Sequence, residues 1–148
     1  MSRPRRARDE RGSAIVEFVW LGVLLLVPLV YVVVSTFEVQ RGAFATTTAA
    51  RSAARAFALA PDDAAGREAA EVAARQALAD QGIDGVDVDV EVRCQLDDCH
   101  SGTAVITARV DTAVTLPLAP DVLGGGKPSF ALDASHTVPI GQYQEIAP

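Results

Sequence analysis

The sequence predicts an α+β protein: a long N-terminal transmembrane and stem helix, then a small extracytoplasmic domain with a second helix and a three-stranded antiparallel sheet. Two observations predict this fold class. Residues 13–34 form an apolar run with a single charge, which is typical of a membrane-spanning helix. Residues 86–94 alternate apolar and polar side chains, which is typical of a strand with one buried face. Two more segments with strand periodicity follow.

The apolar run has the length of a bilayer. As a helix, residues 13–34 extend about 33 Å, against a hydrocarbon core of about 30 Å. Residues 1–12 hold five arginines and two acids, a net charge of +3, whereas the other 136 residues hold 8 basic and 17 acidic side chains, a net of -9. The positive-inside rule therefore predicts a cytoplasmic basic leader, one span of the cytoplasmic membrane, and an extracytoplasmic C-terminal part.

The helix is expected to continue beyond the membrane as a stem over residues 35–60. Gly42 is the only strong helix breaker in this alanine-rich segment, and Pro61 ends it. Three arginines lie on the stem, and we expect them to be solvated or paired with acids of the following domain rather than to bind a ligand. They are Arg41, Arg51 and Arg55.

A second helix is predicted at the start of the head, residues 61–148. Asp62 or Asp63 can cap it and Gly82 can end it. Its apolar spacing places four residues on one face, which we expect to be buried. They are Ala65, Ala69, Val72 and Ala73.

Three strands are predicted after the second helix, in the order of an antiparallel meander covered by helix on one face. The first spans residues 86–94, the second 103–116 and the third 129–138. Their inward residues are expected to be Val86, Val88, Val90 and Val92, then Ala104, Ile106, Ala108, Val110 and Val114, then Phe130, Leu132, Ala134 and Val138. The acids on the other face of the first strand, Asp87, Asp89 and Glu91, are expected to be a solvated surface.

The two cysteines, Cys94 and Cys99, flank a short turn on the extracytoplasmic side of the predicted membrane. Disulfides persist in that compartment, so a disulfide that closes the turn is favoured over free thiols. A metal site with Asp97, Asp98 and His100 is the other alternative, but the spacing matches no zinc pattern. We therefore predict no metal and no cofactor.

Composition and motifs also bear on the function class. An acidic body lacks the clustered Lys and Arg that bind phosphates, so no nucleic-acid partner is predicted. No nucleophile and base pair and no glycine-rich phosphate loop are evident, so neither an enzyme nor a small-molecule substrate is predicted.

The stretch RGSAIVEF joins the basic leader to the apolar run. It ends the leader with Gly12, starts the helix at Ser13, a favourable N-cap, and places Glu17 and Phe18 in the first turns. This pattern resembles the processing site of type IV pilin-like proteins, and most closely that of TadE-like pseudopilins of tight-adherence (Flp-type) pilus systems. Flp-type pilins usually carry Glu-Tyr where this chain has Glu-Phe. The resemblance covers residues 8 to about 60.

The resemblance implies a set of roles. A membrane-embedded prepilin peptidase cuts after Gly12 on the cytoplasmic face and leaves Ser13 with a new α-amino group. Glu17, four residues further on the same helix face, can pair with that amine or with the amine of a neighbouring pilin-like subunit. The chain is then a non-catalytic structural or assembly component, whose partners are the peptidase and other pilin-like subunits.

Two alternatives remain from the sequence. The chain can be a signal-anchored extracytoplasmic binding domain unrelated to pili. It can also be a secreted soluble protein, because residues 43–45, Ala-Phe-Ala, have the small-x-small form of a signal peptidase site and place a cut near Ala45.

Overall fold

A computed structural model describes residues 11–96, 99–100, 103–115 and 129–140, and the side chains of these residues from 14 onward. The order of elements is α1 (Arg11–Ala58), α2 (Asp63–Ala79), β1 (Val88–Cys94), β2 (Val105–Thr115) and β3 (Ser129–Pro139). The predicted α+β class, with a long N-terminal helix, a second helix and a three-stranded antiparallel sheet, is confirmed.

Helix α1 is a single helix of 48 residues that continues through Pro28. The predicted start, Ser13, lies inside this helix, and the residues before Arg11 lie outside the described ones. It ends at Ala58, where the amides of Leu59 and Ala60 close the last turn onto the carbonyls of Arg55 and Phe57.

The C-terminal part of α1, the predicted stem, packs at the centre of the domain formed with the head residues 61–148. Buried residues recur at intervals of three and four, so one continuous face of the helix is covered. They are Gly42, Ala45, Thr46, Ala49, Ala50, Ala53, Ala54 and Phe57. The sheet and α2 both pack on this face, and the same helix that carries the apolar run therefore supplies the core of the folded domain.

Two helical glycines set how closely the elements approach α1. A Cβ on Gly42 would lie 2.6 Å from Cδ1 of Leu132 and 2.8 Å from Cγ1 of Val114, so the sheet packs directly on the helix backbone there. A Cβ on Gly66 would lie 2.9 Å from Cδ2 of Phe57, so α2 packs against that ring. Any side chain at either position needs its neighbours to move.

Helix α2 runs antiparallel to α1. Asp62 is its N-cap and accepts a hydrogen bond from the amide of Ala65 at 2.9 Å, as predicted. After Ala79 the chain turns through Gly82, which has a φ of 71°. The Gly82 carbonyl accepts a hydrogen bond from Nη2 of Arg41 at 3.0 Å, which ties the C-terminal end of α2 to the lower part of the stem.

The face that α2 buries differs from the predicted one. The buried residues are Gly66, Ala70, Ala74, Ala77 and Leu78. The predicted face was wrong because it is rotated by about one residue: its alanines are only partly covered, and Val72 is 63% exposed. Alanine occurs on every side of this helix, so the apolar period is weak, and the fit of Gly66 against Phe57 decides the rotation instead.

The sheet has the order β1-β2-β3, with both pairs antiparallel. Val90 lies opposite Val110, and Val110 lies opposite Ala134, so the inward faces of all three strands coincide as predicted. Phe130 is the exception, since it is 50% exposed. It lies at the start of β3, two residues before Leu132, and its cross-strand partner Val114 is the residue that packs on the Gly42 backbone.

Candidate functional site

The apolar half of α1 has no protein partner in the described part of the chain. Its side chains from Ala14 to Val30 are all exposed, with Phe18 at 79%. The helix contains a stretch with a mean hydropathy of 2.6, of which 0% is buried, and by length and composition it can cross a membrane. So large an apolar surface needs an apolar environment, and a lipid bilayer provides one. The helix is consistent with a single-pass membrane segment or a signal anchor.

The predicted processing site lies at the start of this helix. Gly12 and Ser13 belong to the first turn of α1, and residues 1–10 of the predicted leader lie outside the described residues. Glu17 is exposed and follows Ser13 by four residues, a distance of about 6 Å along the axis. Helical spacing therefore puts Glu17 one turn above the backbone nitrogen that cleavage would turn into an amine.

A protease needs the backbone of its substrate to be accessible, and a helical turn hides it. Helix ends open more readily than helix interiors, and glycine at position 12 adds backbone freedom to the first turn of α1. The geometry thus suits a cut at the end of the helix. It suits a cut near Ala45 poorly, because Ala45 is fully buried in the middle of the packed part of α1.

The opposite end of the head holds the disulfide. Cys94 at the end of β1 is bonded to Cys99 in the following turn, with 5.5 Å between their Cα atoms, so this predicted pairing is confirmed. Asp97 and Asp98, named in the alternative metal site, lie outside the described residues. Among the described residues no group of three or more His, Cys, Asp or Glu side chains is placed to hold a metal ion.

His100, next to the disulfide, connects three elements. Its Nδ1 lies 2.7 Å from Oδ1 of Asp63 at the start of α2, and its Nε2 lies 3.2 Å from the carbonyl oxygen of Phe57 near the end of α1. The imidazole also stacks on the Phe57 ring, with 5.1 Å between centroids. The local sequence does not predict this role, and its one signal is that His100 directly follows Cys99.

The outer face of the sheet carries a row of aspartates, one on each strand. Asp89 lies opposite Asp111, which lies opposite Asp133. Arg109 separates the last two, with Nε 2.9 Å from Asp111 and Nη2 3.3 Å from Asp133. The hydrogen bond from Arg109 lowers the pKa of Asp111, and the same pairing raises the pKa of Arg109.

The face is otherwise as predicted, a solvated charged surface. Glu91 accepts a hydrogen bond from Nε of Arg93 at 2.8 Å, and this contact raises the pKa of Arg93. Arg93 and Arg109 pair with Glu91, Asp111 and Asp133 in exposed ion pairs, which contribute little stability each.

No protein family, curated protein or solved structure matches this chain.

Proposed function

We propose that the chain is a TadE-like pseudopilin, a non-catalytic structural or assembly component of an Flp-type pilus. A prepilin peptidase cuts it between Gly12 and Ser13, and other pilin-like subunits are its partners. It crosses the cytoplasmic membrane once, with the N-terminus in the cytoplasm and the head outside. The resemblance of residues 11–18 to pilin-like processing sites is the starting point of this proposal.

The observation that carries the proposal is the double use of α1. One uninterrupted helix from Arg11 to Ala58 is exposed and apolar in its first half, and forms the core of the head in its second half. A helix of this kind transmits the position of the membrane directly to the head, as the stem of a pilin-like protein does. A binding domain on a signal anchor needs only a flexible connection, so this arrangement favours the pilin-like alternative.

The third possibility, secretion after a cut near Ala45, fits the fold less well. Such a cut would remove Gly42, on whose backbone Leu132 and Val114 of the sheet pack, and would open the helix in the middle of the core. The remaining domain would lose the covered end of its central helix.

The test is the mass of the mature N-terminus in membrane-extracted protein, in cells with and without an active prepilin peptidase. The proposal expects Ser13 as the first residue only where the peptidase is active. Gly12→Leu is the matched variant, and it should leave the full leader attached. An N-terminus at Met1 or Ser2 with the peptidase active would support the anchored binding domain, and one at Thr46 would support secretion.

A further inference from the structure

One exposed face of α1 above the membrane has no partner within the chain. It consists of residues spaced at three, four and seven positions, which share one side of the helix. We call it the α1 stripe: Phe37, Phe44, Thr48, Arg51 and Arg55, all exposed. In the described part of the chain neither Arg51 nor Arg55 forms an ion pair, and Phe44 is 74% exposed.

A second face has the opposite charge. An open groove of about 620 Å³ runs between α2 and the edge strand β1. We call it the acidic groove: Arg67, Glu68, Glu71, Asp89, Val90, Glu91 and Val92 line it, four carboxylates against one guanidinium. Glu71 and Glu91 have exposed partners in Arg75 and Arg93, whereas Glu68 and Asp89 have none among the described residues.

The stripe and the groove lie at the same height along the molecule. Two contacts fix the register of the antiparallel helices: Phe57 meets Gly66, and Arg41 binds the carbonyl of Gly82. Both chain segments are helical from Gly66 to Ala79 and over the facing part of α1, so residues equally far from the Phe57–Gly66 contact lie at about the same height there. Counting from Phe57 and Gly66, Glu68 is level with Arg55.

The same count places Glu71 level with Ser52, one residue from Arg51. Each residue adds about 1.5 Å of height, so the two arginines and the two glutamates match to within about one residue. Glu91 is the cross-strand partner of Arg109 in the middle of the sheet, so the strand side of the groove extends over the middle of the head as well.

Every copy that inserts the apolar half of α1 into the membrane holds its head at the same level. The α1 stripe of one copy therefore lies at the height of the acidic groove of a neighbouring copy. We propose that copies of this chain associate side by side in the membrane, with Arg51 and Arg55 of one copy docked in the acidic groove of the next. The occupant of the groove is thus a second copy of the chain.

The contact joins two different faces, so it is heterologous and leaves one stripe and one groove free at the ends of each row. Complementary charge sets the partner and the register, and like charge opposes the wrong juxtaposition. Single exposed ion pairs are weak, but confinement to one membrane raises the effective concentration of the partner, so a weak contact can be populated.

The inference rests on anchoring by α1 and not on cleavage. It is tested with the full chain in its membrane, carrying a photo-crosslinking residue at Thr48 on the stripe. Irradiation should give a two-copy adduct, and mass spectrometry should map the link to α2 or β1 of the second copy. Exposed charges are screened by salt, so the yield should fall between low and high ionic strength.

Charge reversal provides the decisive comparison. R51E/R55E and E68R/E71R, each expressed alone, should lower the adduct about tenfold, since like charges then face each other. Co-expression of the two variants should restore the adduct, because both of their mutual contacts are attractive again. That restoration also shows that each variant is folded. Asp84→Arg, an exposed reversal outside the groove, should leave the yield unchanged.

An adduct that both reversals leave unchanged, or one that co-expression fails to restore, would overturn the proposal. The acidic edge would then serve only to keep β1 from pairing with other strands. Links from Thr48 only to lipid or to a different protein would overturn it too. The N-terminal mass in the same samples reports processing separately, so a failure of association is distinguishable from a failure of the proposed function.

Discussion

The imidazole of His100 stacks on the ring of Phe57 and faces that residue's carbonyl oxygen at 3.2 Å, so one side chain joins the disulfide turn to the end of α1. Through Asp63, at 2.7 Å, the same ring also reaches the start of α2. His100 therefore connects the end of α1 to the start of α2, although it is distant in sequence from both helices.

We expect His100→Ala to lower the free energy of unfolding by about 1–3 kcal/mol, because the substitution removes two polar contacts and a ring contact at a mostly covered site. Chemical denaturation of the full chain in detergent measures it. Asp84→Ala, at an exposed turn residue, is the control and should change the free energy by less than about 0.5 kcal/mol. Equal stability of both variants would show that His100 does not hold the corner.

The disulfide should act partly through His100. Closing so short a loop contributes about 2 kcal/mol in the chain-entropy model, so replacing Cys94 and Cys99 by serine should destabilise the head by about that amount. Because the turn carries His100 into the corner, the cysteine and His100→Ala effects should not add. A double-mutant cycle should give a coupling free energy of at least about 0.5 kcal/mol. Strict additivity would show that His100 keeps its position without the Cys94–Cys99 disulfide.

Gly66→Ala should destabilise the protein, although alanine favours a helix by about 1 kcal/mol over glycine. The added Cβ would lie 2.9 Å from the ring of Phe57, which is fully buried. Overpacking of this kind costs about 1–3 kcal/mol, so the loss should exceed the gain. Gly22→Ala is the matched control, since no atom lies within 4 Å of its Cβ position, and it should not lower the stability of the head. A more stable Gly66→Ala protein would contradict the close packing of α2 on α1.

Arg109→Gln should raise the pKa of Asp111 toward its ordinary value, because the hydrogen bond from Arg109 is the main cause of its lowered pKa. A carboxylate with a lowered folded pKa stabilises the fold above its unfolded pKa, and this contribution is lost as the pH falls through the folded pKa. In the variant, protonation of Asp111 at acid pH should therefore lower the free energy of unfolding by less than it does in wild type.

NMR titration of the side-chain carboxyl carbon of Asp111 in micelles checks this shift. Arg93→Gln is the control, since it removes the arginine paired with Glu91 and should leave Asp111 unchanged. An Asp111 titration that is the same in wild type and Arg109→Gln would refute the pairing.

Glu17→Gln should impair assembly more than cleavage or insertion. It removes the formal charge from the span, so insertion should not suffer, and the peptidase mainly needs Gly12 and an accessible backbone. Recovery of crosslinked pilin-like partners and pilus output should both fall, while the mass of the mature N-terminus stays that of Ser13. If crosslinking and piliation match wild type, Glu17 is only a favourable first-turn residue.

Several elements follow from the sequence because local chemistry decides them. An apolar run of bilayer length forms a helix, because only a helix satisfies its own backbone in an apolar environment. Strict alternation fixed which face of each strand is inward, from Val90 to Val110 and Ala134. Asp62 caps α2 through a hydrogen bond within four residues, and the pairing of Cys94 with Cys99 spans one turn.

Only the tertiary structure decided how these elements fit together. Alanine lies on every side of α2 and of the stem, so sequence periodicity could not tell that Val72 is exposed or that the stem is the core of the head. The contacts at Gly42 and Gly66 and the closure by His100 depend on atoms that are distant along the chain. An alanine-rich helix has no single apolar face that fixes its rotation about its own axis. The shape of the neighbouring surface therefore determines which face is buried.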